Sequence, residues 1–79
     1  MRLDKYLKVS RLIKRRTVAN EACDAGKVAV NDKPARASLE VKIGDIIEIN
    51  MGRTPLKVKV LAIKETVGKD AAGFMYEAL

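Results

Sequence analysis

Arg2, Lys5, Lys8, Arg11 and Lys14 recur every three residues, and Arg15 and Arg16 complete the run. Within this stretch only Asp4 opposes them, so the N-terminal arm carries the whole net charge of +6. From Thr17 to Leu79, nine basic residues balance nine acidic ones. Guanidinium and ammonium groups gathered in this way suit the binding of phosphate. A cationic arm on a neutral body suits a polyanion, of which RNA and DNA are the commonest.

The position of the last cations sharpens this reading. Lys14, Arg15 and Arg16 crowd the expected start of a helix, where free N–H groups and the macrodipole are already positive. Stability alone favours Asp, Glu, Ser or Thr there. The same arrangement is ready to receive a phosphate, since the dipole, the N–H groups and the cations all point one way. The alternative is that Thr17 merely caps the helix and the cations precede it on a solvated loop. Lys27, Asn31, Lys33 and Arg36 surround a first hairpin, where they either extend the basic face or are simply solvated. Lys42 is read the same way. Lys57, Lys59 and Lys64 read as the polar face of a sheet.

Catalytic chemistry finds little to work with. There is no histidine, which removes the usual proton shuttle and the commonest metal ligand. Cys23 falls on an apolar helical stripe and reads as buried and inert. Asp4, Asp45 and Glu48 form no spaced acid–base pair, and no Gly-rich phosphate loop occurs. Asp4 reads as a residue that orients Arg or Lys side chains or caps the first helix, and Asp45 after Gly44 as turn chemistry. Tyr6, Phe74 and Tyr76 are the only aromatics, too few for a single-strand stacking platform. Tyr6 lies within the basic arm, but core packing is its expected role. Phosphate and shape recognition of structured RNA is therefore expected over base-by-base reading. No cofactor or metal is expected.

These residues must be positioned by a small number of elements. Leu3 and Leu7 share a face of a helix running to about Val9. Cations three apart fall about 60° short of a full revolution at each step, so they would wind off one face if the helix continued. A break near Ser10 and a turn to Lys14 let them regroup. A second helix begins near Arg15–Thr17, with Val18, Ala19, Ala22 and Cys23 as its apolar stripe, and ends at Gly26. The period then changes to alternation. Val28 and Val30 form a strand, Asn31-Asp32 a turn, and Lys33–Ala35 a short return strand limited by Pro34. Ile46–Asn50 is a strand, Gly52–Pro55 a turn, and Leu56–Ile63 a strand with Leu56, Val58 and Val60 inward. Between Val67 and Leu79 the signals conflict: Asp70, Ala71 and Ala72 favour a helical turn, while Gly68 and Gly73 interrupt it.

The chain of 79 residues is expected to form one small α+β domain, with a hydrophobic fraction of 48% that suits a folded chain. Its pI near 9.7 fits a nucleic-acid binder, and equally a membrane-surface protein or simply a soluble basic protein. One cysteine excludes an internal disulfide and favours a reducing compartment. No stretch reads as a membrane span or signal-peptide core, so a cytoplasmic location away from membranes is expected.

At this point the ordered pieces resemble a known family. Arg2-Leu3-Asp4-x-x-Leu7, then Arg16-x-x-Ala19, Gly26-x-Val28-x-Val30-Asn31 and Gly44-Asp45-x-Ile47 look like the S4, or alpha-L, RNA-binding domain. The resemblance covers Arg2 to Asn50. It implies short helices packed on a small antiparallel sheet: an RNA-binding domain over residues 1–50, with 51–79 an extension of the same compact unit. The implied RNA face comprises Arg2, Lys5, Lys8, Arg11, Lys14, Arg15, Arg16 and Thr17, then Lys27, Asn31 and Lys33. Asp32 stands where the family often has glycine, and Asp tolerates the turn.

The run from Met1 to Thr17 resembles more closely the stand-alone bacterial S4 proteins of ribosome quality control, which are related to the fifteen-kilodalton heat-shock protein. That resemblance implies a monomeric binder of the large ribosomal subunit carrying peptidyl-tRNA. It would contact large-subunit rRNA and tRNA while an alanine-tailing factor extends the stalled chain. The other readings are a general rRNA-binding or large-subunit assembly factor, and a basic protein–protein adaptor. An RNA-modifying enzyme is the poorest reading. If five or six cations neutralise phosphates, the log–log salt slope of binding should be roughly −4 to −5.

Overall fold

The computed structural model describes residues 1–64 and 74–79. Two helices, α1 (Leu3–Val9) and α2 (Arg16–Asp24), precede five strands: β1 (Val28–Val30), β2 (Lys33–Pro34), β3 (Ile46–Ile49), β4 (Leu56–Val60) and β5 (Tyr76–Ala78). The strands form one antiparallel sheet in the order β2-β1-β3-β4-β5. The architecture is the expected α+β one, short N-terminal helices packed on a small antiparallel sheet.

The helical period places Leu3, Tyr6 and Leu7 of α1 and Ala19, Ala22 and Cys23 of α2 in the core. The sheet answers with alternate residues: Val28 and Val30, Ile47 and Ile49, Val58 and Val60. The small residues on α2 allow its close approach to both α1 and the sheet. At the end of α2, Gly26 takes φ +74°. Its N–H donates to the Cys23 carbonyl at 3.0 Å, and the Lys27 N–H to that of Ala22 at 2.9 Å. These two bonds form a Schellman cap, which requires the left-handed residue that glycine supplies without strain.

The Asn31-Asp32 turn links β1 to β2 with both residues at positive φ, +52° and +68°. Both central residues must take that sign in a type I′ hairpin, so Asp32 serves where glycine is commoner. Asp45 behaves as turn chemistry: its Oδ2 accepts the Lys42 N–H at 2.9 Å.

Two expectations are corrected. Leu56 was expected inward, but it is 42% exposed. It opens β4 opposite Ile49, at the end of the sheet, where it lines a shallow apolar groove with Leu12, Ile13 and Met51. The strand expected to reach Ile63 stops at Val60, because the Leu61 and Ala62 N–H groups turn to the Met75 carbonyl at 2.8 and 3.2 Å. The C-terminal segment also supplies a strand that its composition did not announce, with Tyr76–Ala78 pairing Val58–Val60. The helical turn expected over Asp70–Ala72 lies outside the described residues. Among the described residues, no helix is long and apolar enough to cross a membrane.

Candidate nucleic-acid interface

The basic arm is organised around Asp4, a carboxylate only 3% exposed in the first turn of α1. Its Oδ1 accepts the Lys5 N–H at 2.8 Å, Arg2 Nε at 3.3 Å and an Arg16 Nη2 hydrogen bond at 3.4 Å. Its Oδ2 faces Arg16 Nε at 3.3 Å and accepts from Asn20 Nδ2 at 3.3 Å. Arg16 thus grips both oxygens, the fork geometry that only a guanidinium provides. Burial pushes the Asp4 pKa upward, but the hydrogen bonds from Arg16, Asn20 and the Lys5 amide outweigh it and hold the group below its ordinary value.

One carboxylate therefore orients two cations without neutralising both. The Arg2 and Arg16 side chains remain about half exposed, at 51% and 49%. Their tethered faces turn to Asp4 and their free faces to solvent. Asn20 was not foreseen as a partner of Asp4. The signal was its spacing of four from Arg16, which puts both on one face of α2.

The turn between the helices presents the next cations. α1 ends at Val9 with Ser10 as its C-cap, and Arg11 takes φ +64°. The Arg11 N–H donates to the Lys8 carbonyl at 3.1 Å, and the Ile13 N–H to that of Leu7 at 3.0 Å. The left-handed step folds the chain back over the helix end, and buried Ile13 anchors it. Arg11, Lys14 and Arg15 are held outward on this turn, all exposed. Lys8 is exposed on the last turn of α1, and Lys5 is half-buried.

Arg15 is the N-cap of α2, with no side-chain cap, and no acidic residue occupies the first turn. Thr17 does not cap the helix and is exposed one residue inside it. The first N–H groups of α2 consequently lie beside Arg15 and Arg16, an arrangement suited to an anion.

The hairpin residues do not gather in one place. Lys27 carries the carbonyl that accepts the Asn50 N–H at 2.7 Å, at the end of the sheet where Ile49 meets Leu12 and Ile13 of the basic turn. Asn31 and Lys33 lie at the opposite end of β1. The Asn31 side chain is engaged within the protein: its Oδ1 accepts the Ile46 N–H at 3.0 Å and its Nδ2 donates to Asp45 Oδ1 at 3.2 Å. Asn31 thus shapes the hairpin, whereas Lys33 is exposed and available.

Tyr6 faces away from this surface. It is fully buried and belongs to the core. Cys23 is buried too, and burial followed by the nearby Asp4 and Asp24 charges pushes its thiol up to about 11, far from a reactive thiolate. Among the described residues, no group of three or more His, Cys, Asp or Glu could hold a metal ion.

Comparison with known proteins gives the family and the fold. The S4 domain family model matches residues 1–47. The chain is 52% identical over 79 residues to the RQC P-site tRNA stabilizing factor of Streptococcus pneumoniae, covering 100% of this chain and 90% of that protein. It is 51% identical over 77 residues to the protein of the same name from Halalkalibacterium halodurans, covering 98% and 88%. Among solved structures, trimeric heat shock protein 15 of Vibrio cholerae superposes with a TM-score of 0.93 at 30% identity, over 100% of this chain and 81% of that one.

Proposed function

This chain belongs to the S4 domain family, and on that premise we propose that it is an RNA-binding factor of ribosome-associated quality control. It binds stalled large ribosomal subunits that still carry peptidyl-tRNA and contacts both rRNA and tRNA. It stabilises the P-site tRNA while an alanine-tailing factor on the same subunit extends the nascent chain. The observation that carries this reading is similarity along the whole chain, at about half identity, to proteins named for stabilising P-site tRNA. The Asp4-centred pair of arginines supplies a physical means: two guanidiniums preset for phosphate contact on a rigid helix pair.

The proposed RNA face consists of Arg2, Lys5, Lys8, Arg11, Lys14, Arg15, Arg16 and Thr17, extended by Lys27 beside the basic turn and by Lys33 beyond it. Asn31 acts there by shaping the hairpin. Residues 1–50 form the RNA-binding unit and 51–79 extend it, with β4 and β5 completing the sheet. The chain acts in the cytoplasm as a monomeric binding protein, without catalysis, cofactor or membrane association. RNA held through phosphates is bound more weakly as salt rises, because binding releases condensed counterions.

The test is a pull-down of tagged protein from a bacterial lysate, with the bound RNA identified. Large-subunit rRNA together with tRNA, and little small-subunit rRNA, is the expected result. Large-subunit rRNA without tRNA would replace this reading with an assembly factor. Protein partners without RNA would replace it with an adaptor.

A further inference from the structure

The cations of the first helix pair and those of the hairpin are separated along the molecule, yet one residue outside the proposed face spans the gap. The Leu3 and Asp4 N–H groups donate to the Leu39 and Ala37 carbonyls at 2.8 and 3.1 Å, which pins the segment after β2 to the start of α1. This seats Arg36 on the rim of two adjoining grooves. The first runs along α2 and is lined by Arg2, Asn20, Asp24, Arg36 and Ser38. The second runs beneath the hairpin and includes Lys33, Arg36, Ser38 and Lys42. Arg36 and Ser38 belong to both, so they form the ridge between them.

The second groove also holds Glu40 and Asp45, two carboxylates against the three cations Lys33, Arg36 and Lys42. Glu40 is held by the N-terminal amine at 2.9 Å. Asp45 is fixed by the Lys42 backbone N–H and the Asn31 amide, neutral donors that leave its charge in place, so the groove keeps an excess of cations. Among the described residues, Lys33, Arg36 and Lys42 form no ion pair. Asp24, exposed on the α2 side of the first groove, is the one carboxylate there without a described partner.

We infer that Arg36 joins Arg2 to Lys33 and Lys42 in a second phosphate track. The sugar–phosphate backbone of an RNA strand would lie along it, leaving the basic turn past the start of α1 and continuing over the segment after β2. This rests on the proposed RNA-binding role and assigns to it a surface beyond the helix pair. Arg36 supplies a phosphate contact at the crossing, Ser38 offers a hydroxyl beside it, and Asp24 borders the track with repulsion.

The experiment measures binding of the full chain to purified large ribosomal subunits carrying peptidyl-tRNA, and separately to protein-free large-subunit rRNA, across a salt series. Arg36→Ala is expected to weaken binding and to reduce the log–log salt slope by about 1. Asp24→Asn is expected to tighten it. Lys57→Ala, the same charge change on exposed β4, serves as the control for long-range charge, and Arg16→Ala as the control for the first face. Arg36→Ala indistinguishable from Lys57→Ala, while Arg16→Ala impairs binding, overturns the track and leaves the RNA-binding role standing. Wild-type binding to free rRNA but not to subunits removes the quality-control reading, and the rRNA series still decides the track. No wild-type binding to either overturns both. Circular dichroism shows whether each variant remains folded.

Discussion

Tyr6 and Met75 lie 69 positions apart, and the buried Tyr6 hydroxyl donates to the Met75 carbonyl at 2.6 Å. That carbonyl also accepts the N–H groups of Leu61 and Ala62. One acceptor thus ties the first helix, the end of β4 and the start of the last strand. The bond converts an aromatic of the basic arm into a core clasp and places β5 on the sheet.

Removing the hydroxyl tests the clasp. Tyr6→Phe should cost about 1 kcal/mol in urea unfolding, because the carbonyl keeps two donors and only one buried bond is lost. Burial, and secondarily the Tyr76 charge, pushes the Tyr6 hydroxyl up to about 12. An unfolded tyrosine ionises near 10, at about the model-peptide value. The folded state therefore holds its proton more tightly, and this contribution to stability is intact below about pH 10. It falls as pH rises through about 12. Tyr6→Phe should flatten that alkaline loss, and an absorbance titration should show Tyr6 ionising only as the fold is lost.

Asp4 offers a test in which structure and net charge predict opposite signs. Asp4→Asn adds one positive charge, which by itself would strengthen binding to RNA. It also removes the carboxylate that holds Arg2 and Arg16. Weaker RNA binding is expected, with a stability loss of about 1–2 kcal/mol after allowing for the half-exposed guanidiniums. Because the folded pKa of Asp4 is lowered, its stabilisation is present above the unfolded value near 3.9. It is lost as pH falls through the folded one. The variant should lack that portion of the acid dependence in a pH series of thermal unfolding.

Much of this molecule was legible because its local signals are concordant. Leu3 and Leu7, the small stripe of α2, Gly26 and the alternation around Val28 and Val58 each have one structural solution, and the structure adopts it. The break after Val9 could be read from the drift of the cations around a helix. What escaped depends on contacts distant in sequence. β5 is a strand because it pairs with β4 and is clasped by Tyr6, neither of which is encoded within Phe74–Leu79. Leu56 alternates correctly with Val58 but sits at the end of its strand, and periodicity does not report where helical cover ends. Within the site, the charge of Arg16 was plain, but its bidentate hold on Asp4 and the support from Asn20 required the crossing of α1 and α2. Asn31 was visible as a turn residue, but its two side-chain hydrogen bonds, to Ile46 at the start of β3 and to Asp45 before it, were not.

Arg11 separates stability from binding. A non-glycine residue at φ +64° costs about 1–2 kcal/mol relative to a right-handed conformation. Glycine removes that strain but loses more chain entropy on folding, about 0.5–1 kcal/mol. Arg11→Gly should therefore raise stability by up to about 1 kcal/mol, seen as a higher urea midpoint with an unchanged slope. The same variant should bind large-subunit rRNA less tightly, with a salt slope reduced by about 1. A gain in stability with undiminished binding would show that the side chain at this strained position contacts no RNA.

Asn31 should behave in the reverse way. Its amide satisfies the Ile46 N–H and reaches Asp45, so Asn31→Ala removes both links and places alanine at a positive φ. A loss of about 1–2 kcal/mol is expected from the hydrogen bonds and the backbone conformation together. Asn31→Gly relieves the backbone strain and leaves only the hydrogen-bond cost, so it should recover part of the stability. If Asn31 acts on RNA through hairpin shape, binding by the two variants should follow their stabilities, and Asn31→Gly should bind better than Asn31→Ala. Equal impairment of binding with unequal stability would instead identify the amide as a direct RNA contact. The salt slope discriminates further: a lost amide contact leaves it unchanged, whereas a displaced Lys33 lowers it by about 1.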